Sequence, residues 1–216
     1  MKPTVKVCGM MRSEDVRMCI EYGTDTIGIV VDYPEPVPWN VDLTRAKELV
    51  MACGIAKSCI VTDGDTAKLV RLARTLQPDY MQVHFRGHFD DTACLVDQLK
   101  LCSKTKLVVT FTPATPLDEI VELSRLNLAA LLHDMRIPGN TIVGGIADPR
   151  FFRKVQDSVN CPVILAGGLN SSNIKEMLEL SKARMIDVMT GVEALPGIKD
   201  EKKVSALFRN LTMLYN

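Results

Sequence analysis

The chain has 216 residues, of which 47% are hydrophobic and 24% are charged, so it is long enough to bury one sizeable core. Lysine and arginine together number 26, as do aspartate and glutamate, which leaves no excess positive charge to hold nucleic acid or an anionic membrane. These totals favour a single domain over residues 1–216 whose partner is a small molecule.

The seven cysteines are an odd number, and no two of them have C-x-x-C spacing. Several lie inside apolar runs, a pattern that predicts reduced thiols in a cytosol. The first residues lack the apolar stretch of a secretory signal, and no later run approaches the roughly 20 apolar residues of a membrane helix. We therefore expect a soluble, cytoplasmic protein.

Eight short runs rich in β-branched residues recur along the chain, at residues 5–9, 26–31, 56–62, 80–84, 106–112, 128–134, 162–168 and 186–192. They are continuously apolar, which is typical of parallel strands covered on both faces. Segments with helical spacing lie between them, and a last amphipathic helix is predicted over residues 204–215. The helix start signals are Ser13, Asp42, Asp63, Asp90, Pro116, Asp148 and Ser171 with Ser172.

Eight strand-helix units in this length predict an α/β fold of one closed (β/α)8 barrel, the TIM barrel. A doubly wound open sheet is the alternative, and it would usually place a G-x-G-x-x-G turn after the first strand. Here the first strand is followed by the single Gly9, and the glycine-rich turns come last. The Pro-rich stretch at residues 33–38 is predicted to be a long loop that overhangs the barrel mouth.

Glycine follows each of the last two strands, as Gly167 with Gly168 and then as Gly191. Paired loops at this place commonly hold a substrate phosphate in a barrel, and Asn170 or Ser171 can cap the helix between them. The sequence therefore predicts a phosphate ester as ligand. The predicted phosphate-binding residues are Gly167, Gly168, Asn170, Thr190, Gly191 and Val192.

Two chemically useful residues end other strands, where barrel side chains point into the mouth. Cys8 could act as a base or a nucleophile, or it could be a small apolar residue that fills the core. The Asp134 carboxylate must be hydrated, be paired with another group or take part in the chemistry, because burying it unpaired is costly. His84 and His133 have no metal-ligand spacing, and His133 should face the helix layer as a hydrogen-bonded structural residue. Trp39 is a lid anchor, a stacking surface for an aromatic ring, or packing under its own loop.

In order and spacing, these residues resemble the phosphoribosylanthranilate isomerase family of tryptophan biosynthesis over the whole chain. The matching pieces are K-V-C-G at 6–9 with Arg12, Glu14 and Asp15, then L-A-G-G-L-N at 165–170, then Asp187, Val188, T-G-V-E at 190–193, Pro196, Gly197, Lys199 and Asp200. The resemblance implies an aldose-ketose isomerase, classed as an intramolecular oxidoreductase, that carries out an Amadori rearrangement. By resemblance, Asp134 is the general acid and Cys8 the general base.

The implied partner is a phosphorylated sugar-amine substrate, and nothing in the sequence implies a metal or an organic cofactor. The chain departs from the family where an S-P-R arginine faces the anthranilate carboxylate, because Val37-Pro38-Trp39 stands there. Arg86 and Arg136 are the candidates to replace that charge, so Trp39, His84, Arg86 and Arg136 form the predicted substrate-binding set.

Three readings stay open: the family isomerase, an isomerase of another N-phosphoribosyl amine, and a non-catalytic sugar-phosphate-binding barrel. The presence of both Cys8 and Asp134 speaks against the last, since a pure binder needs no proton-transfer pair. The sequence leaves the choice between a monomer and a homodimer undecided.

Overall fold

The apolar runs form one closed barrel of parallel strands, as the sequence predicts. The computed structural model describes residues 2–84, 88–135 and 145–215. Chain neighbours are barrel neighbours, and the first strand pairs with the eighth, Val5 opposite Ile186, to close the barrel. The barrel strands are β1 (Thr4–Val7), β2 (Thr26–Val30), β3 (Lys57–Val61), β4 (Tyr80–His84), β5 (Lys106–Phe111), β6 (Ala130–His133), β7 (Val163–Ala166) and β8 (Met185–Val188).

A helix follows each strand and packs its apolar face on the outside of the barrel. The helices are α1 (Ser13–Glu21), α2 (Leu43–Ala52), α3 (Thr66–Leu76), α4 (Phe89–Cys102), α5 (Leu117–Leu123), α6 (Pro149–Ser158), α7 (Ile174–Ser181) and α8 (Glu201–Tyr215). Leu49, Phe152 and Leu207 are completely buried in this layer. Each such side chain contributes about 1.5–3 kcal/mol, so the layer between strands and helices is the main core. Across the described ranges, no helix has the length and apolar character needed to span a membrane.

Two of the predicted helix caps are confirmed. Asp42 accepts from the Arg45 amide at 2.7 Å, and Asp148, followed by a proline, accepts from the Arg150 amide at 2.8 Å. The prediction for Asp63 is wrong, because Asp65 caps α3 while the Asp63 carboxylate accepts from the next amide in its own loop.

Other helix starts differ from the prediction by a few residues. Ser13 lies inside α1, and α4 begins at Phe89, one residue before Asp90. Neither Ser171 nor Ser172 caps α7, because the Asn170 side-chain oxygen accepts from the amides of residues 172 and 173 instead. The final helix begins at Glu201, before the predicted residue 204. At α7 and α8 a nearby side chain bonds to the free amides, Asn170 before α7 and Asp200 to the Lys203 amide of α8.

The run at 186–192 is not one strand. β8 ends at Val188, and Thr190–Val192 form a single 3-10 turn. The turn brings Gly191 against the neighbouring loop so closely that an added Cβ would lie 1.9 Å from the Leu169 carbonyl oxygen. A short antiparallel hairpin that the sequence analysis did not predict follows, made of β9 (Glu193–Leu195) and β10 (Ile198–Lys199).

Candidate active site

A cleft of about 840 Å³, including space open to solvent, lies at the carboxyl ends of the barrel strands. The structure brings six of the predicted site residues to its wall: Cys8, Trp39, Asp134, Gly167, Gly168 and Thr190. The predicted acid, the predicted base and the two glycine loops therefore share one cavity. This is the end of the barrel at which the fold places active sites.

Cys8 directly follows β1, and its amide donates to the Val188 carbonyl at 2.9 Å. Its side chain, 4% exposed, lies inside the barrel against Gly28 of β2, where an added Cβ would lie 2.6 Å from Sγ. Burial raises the pKa of the Cys8 thiol, and the positive charges of Lys6 and Lys199 oppose this rise. The thiol thus has a defined position and two cations that favour its ionised form.

Lys6 lies two residues before Cys8 and points into the same barrel interior. Its Nζ is 2.6 Å from Oδ2 of Asp187 in β8, and both side chains are buried. Burial alone would lower the pKa of Lys6, but the negative charge of Asp187 raises it overall, so the lysine stays charged. The Asp187 Oδ1 and Gln82 Oε1 atoms are buried without a hydrogen-bond partner in the described residues, and both residues line the cleft.

The sequence analysis missed Lys6 and Gln82 as site residues and gave Asp187 no role. The signal was present for two of them, because Lys6 and Asp187 are charged residues inside otherwise apolar strands. A charge at such a position must find a partner, since burying it alone is costly.

Asp134 follows β6, and its amide donates to the Phe111 carbonyl at 2.9 Å. Its side chain is 17% exposed, and Oδ2 lies 3.6 Å from Nε2 of His84 at the end of β4. Nδ1 of that histidine is 3.1 Å from the Tyr33 hydroxyl and 4.0 Å from an oxygen of Asp63. His84 therefore lies beside the carboxyl group of the predicted acid, between it and the loop after β2.

His133 points away from the cleft into the helix layer, as predicted from strand alternation. Its ring packs against Phe111, Phe151 and Phe152, with centroids 5.4 to 6.3 Å apart. Burial lowers its pKa to about 4. The expected hydrogen bond is not found among the described residues, so the ring is a neutral member of an aromatic cluster.

The glycine loop after β7 has a backbone shape that favours glycine. Gly167 and Gly168 have φ of 112° and 63°, in the region that favours glycine, and an added Cβ at Gly167 would lie 2.7 Å from Met135 Cγ. Asn170 donates to the Gly168 carbonyl at 3.1 Å, so its side chain shapes the loop. Val192 is fully buried, and its amide donates to Met189.

The predicted phosphate residues thus separate into two groups. Gly167, Gly168 and Thr190 line the cleft, whereas Asn170, Gly191 and Val192 hold the loops in shape from outside its wall.

The loop after β2 contributes Trp39 to the wall of the cleft. Trp39 is buried in a cluster with Cys8, Val30, Tyr33 and Val61. Its indole Nε1 donates to both oxygens of Glu193, at 3.0 and 3.2 Å. The tryptophan is therefore part of the cleft wall and is fixed there by a carboxylate from the unpredicted hairpin.

The remaining two predicted substrate-binding residues, Arg86 and Arg136, lie outside the described residues. In the parts of the chain that the structure describes, no group of three or more His, Cys, Asp or Glu side chains is arranged to hold a metal ion. The seven cysteines are all free thiols.

Comparison with known proteins gives a consistent result. The sequence model of the family described as N-(5′-phosphoribosyl)anthranilate (PRA) isomerase matches residues 5–210. The N-(5′-phosphoribosyl)anthranilate isomerase of Afipia carboxidovorans is 33% identical over 210 residues, which cover 95% of this chain and 87% of that protein.

Solved structures agree with the barrel. The phosphoribosyl anthranilate isomerase of Thermus thermophilus superposes with a TM-score of 0.79 at 25% identity, covering 98% of this chain and 99% of that one. A phosphoribosyl anthranilate isomerase in complex with reduced 1-(o-carboxyphenylamino)-1-deoxyribulose 5-phosphate has a TM-score of 0.80 at 19% identity, covering 98% and 100%. The second likeness, at its low identity, supports the fold.

Proposed function

Because the chain belongs to the N-(5′-phosphoribosyl)anthranilate isomerase family, we propose that it isomerises N-(5′-phosphoribosyl)anthranilate to 1-(2-carboxyphenylamino)-1-deoxyribulose 5-phosphate. This is an intramolecular oxidation and reduction of aldose-ketose type, a step of tryptophan biosynthesis. The observation that carries the proposal is the shared cleft, in which Cys8 and Asp134 lie with the glycine loops after β7 and β8.

The rearrangement needs one acid and one base on either side of the sugar. Asp134 donates its proton to the furanose ring oxygen, the ring C–O bond breaks, and a protonated imine forms between C1′ and the amine nitrogen, which keeps its hydrogen. The Cys8 thiolate then removes the C2′ proton to give an enol-amine, which tautomerises to the amino-ketose. Groups of this kind each contribute about 10² to 10⁴ in rate.

Cys8 must lose its proton before it can act as the base. Burial opposes this, whereas the charged Lys6 and Lys199 favour the thiolate. Asp187 acts in both directions, because its negative charge raises the pKa of the thiol while it also keeps Lys6 charged.

Asp134 must hold a proton when substrate arrives. Polar groups adjoin this carboxyl group, because His84 Nε2 lies 3.6 Å from Asp134 Oδ2 and His84 Nδ1 lies 3.1 Å from the Tyr33 hydroxyl. His84 lines a neighbouring cavity rather than this cleft, and its proposed contact with the substrate rests on its position beside the acid.

The phosphate group binds at the loops of Gly167, Gly168 and Thr190, which line the cleft. Backbone amides at such turns attract an anion without a charged side chain. Anchoring the phosphate there holds the sugar so that its reacting end lies between Cys8 and Asp134, and well-oriented reactants gain much of the rate in this way. We assign to Asn170, Gly191 and Val192 the role of holding these loops in the shape that binds the phosphate.

The anthranilate part binds on the side of Trp39 and His84. Arg86 and Arg136, which follow β4 and β6 in the chain, are proposed to supply charge for its carboxylate. We further propose that the enzyme is cytoplasmic, and that it works as a monomer or a homodimer without a nucleic-acid partner.

Complementation of a tryptophan auxotroph that lacks this isomerase tests the function. Growth on expression of the chain supports the proposal, and growth should be lost with Cys8→Ala or Asp134→Asn. No growth from a well-expressed, folded protein would contradict it and direct attention to another N-phosphoribosyl amine.

A further inference from the structure

A buried polar cluster lies behind the active-site wall, between the loop after β2 and the hairpin of β9 and β10. We call it the Trp39 anchor, and it consists of Trp39, Glu193 and Lys199. Glu193 is 6% exposed, and its carboxylate accepts from the Trp39 indole, from the Gly197 amide at 3.2 Å and from Lys199 Nζ at 2.7 Å. Every oxygen of this carboxylate therefore has a donor, and the group is rigid.

The anchor is bonded directly to the backbone of Cys8, which follows β1. Lys199 Nζ donates to the Cys8 carbonyl oxygen at 2.5 Å, in addition to its bond with Glu193. The Lys199 amide donates to the Asp15 carboxylate at 3.1 Å, and that carboxylate also accepts two hydrogen bonds from the Arg12 guanidinium. The position of the indole is thus fixed relative to the backbone of Cys8.

Trp39 is mostly buried but lines the same cleft as Cys8 and Asp134, so its side chain borders the space in which a ligand would lie. Its Cδ1 atom lies so near Gly9 that an added Cβ at that glycine would be 3.0 Å from it. The indole therefore packs closely on the backbone that follows Cys8. A large planar ring held beside the base is suited to a planar arylamine, which gains from packing on an aromatic wall.

We propose that Glu193 is a positioning residue for the arylamine, because it holds the Trp39 indole as the aromatic wall of the aglycone pocket. Lys199 supports it by neutralising its charge and by joining the anchor to Cys8. This inference rests on the proposed function and adds to it a residue that sets specificity for the aryl part of the substrate. It assigns no role to Glu193 in binding the phosphate.

A double-mutant cycle with two probes tests the proposal. Trp39→Phe replaces the indole with a smaller aromatic ring that has no N–H donor. Glu193→Gln keeps the size of the side chain and removes its charge. Calorimetry measures the Kd of reduced 1-(o-carboxyphenylamino)-1-deoxyribulose 5-phosphate and the Kd of inorganic phosphate for wild type, both single variants and the double variant.

Each single change should raise the Kd of the aryl probe about tenfold, the effect of losing one hydrogen bond to a charged group, and leave phosphate binding unchanged. The double variant should bind no worse than the single variants, because both changes act on the same contact, one by removing its donor and the other by removing the charge of its acceptor. Trp39 is the only tryptophan in the chain, so its fluorescence should shift to longer wavelength in E193Q.

If Glu193 had only a general structural role, E193Q would raise the Kd of the aryl probe and the Kd of phosphate by the same factor. If the two single effects on Kd multiplied in the double variant, Glu193 would act independently of Trp39. Either result overturns the proposal, as does an unchanged aryl-probe Kd in W39F. If E193Q does not fold, E193D, which keeps the negative charge beside Lys199, replaces it in the cycle. Failure of wild type to bind the aryl probe would count against the proposed function itself.

Discussion

The thiol of Cys8 occupies space that any side chain at Gly28 would fill. An added Cβ at Gly28 would lie 2.6 Å from Sγ and 2.9 Å from Cα of Cys8, so the thiol and even the backbone of β1 would have to move. The glycine in β2 is therefore the residue that allows the proposed base to stand inside the barrel.

Gly28→Ala should reduce kcat on N-(5′-phosphoribosyl)anthranilate by about 10²-fold, since a displacement near 1 Å at a reacting group has an effect of that size. Overpacking should also reduce the free energy of unfolding by about 1–3 kcal/mol. Steady-state kinetics and urea unfolding measure the two effects.

Gly54→Asn is the matched control. No atom lies within 4 Å of its added Cβ, and its φ of 55° is one that asparagine tolerates. Wild-type kcat in G28A would show that the position of the thiol is not critical.

Gly191→Ala should weaken phosphate binding, because its Cβ would lie 1.9 Å from the Leu169 carbonyl oxygen and must push the two glycine loops apart. We expect a higher Kd for inorganic phosphate and a higher KM for the substrate. Calorimetry with phosphate checks the first effect without any chemistry. An unchanged Kd in a folded G191A protein would remove these loops from the phosphate site.

Lys6→Met should shift the pH profile of kcat/KM to higher pH. Burial raises the pKa of the Cys8 thiol above its ordinary 9.0, so activity should increase with pH as the thiolate forms. Without the charge of Lys6 the thiol pKa rises further, and the ascending limb of kcat/KM should shift to higher pH. The variant should also lose about 3–5 kcal/mol of stability, because Asp187 would remain buried without its partner.

The exposed Lys57 and Asp79 pair provides the control for this pH profile. Lys57→Met should leave the ascending limb where it is. An unchanged limb in a folded K6M protein would mean that Lys6 does not act on the thiol.

His133 should make the protein less stable in acid. Its pKa is about 4 in the folded state against an ordinary value of 6.5, so the unfolded chain takes up the proton first as the pH falls. Stability is full above about pH 6.5 and should fall by about 3 kcal/mol as the pH approaches 4. His133→Phe should flatten this part of the curve in urea unfolding measured at several pH values. The same slope in H133F would assign the acid sensitivity to other groups.

The barrel could be predicted from the sequence because buried parallel strands give continuous apolar runs, and because the glycine turns come at the end of the chain. The helix starts at Asp42 and Asp148 could be predicted because a capping side chain bonds to amides only two or three residues away. Cys8 and Asp134 could be placed at the mouth because each directly follows an apolar run.

The rest of the site depends on contacts between distant parts of the chain. Lys6 and Asp187 are 181 residues apart, and Trp39 and Glu193 are 154 apart. Strand periodicity shows that a charge lies in a barrel wall but not which partner faces it. The hairpin that supplies Glu193 is too short to give a pattern, so its support of Trp39 becomes visible only in three dimensions.

The central claim is that Cys8 and Asp134 move the protons of the rearrangement. Its most direct test is steady-state conversion of N-(5′-phosphoribosyl)anthranilate by purified wild type, C8S and D134N, with C94S, which changes an exposed cysteine of α4, as the control. We predict that C8S and D134N each lower kcat by about 10² to 10⁴ while still binding inorganic phosphate, and that C94S matches wild type. Wild-type kcat in either C8S or D134N would contradict the account.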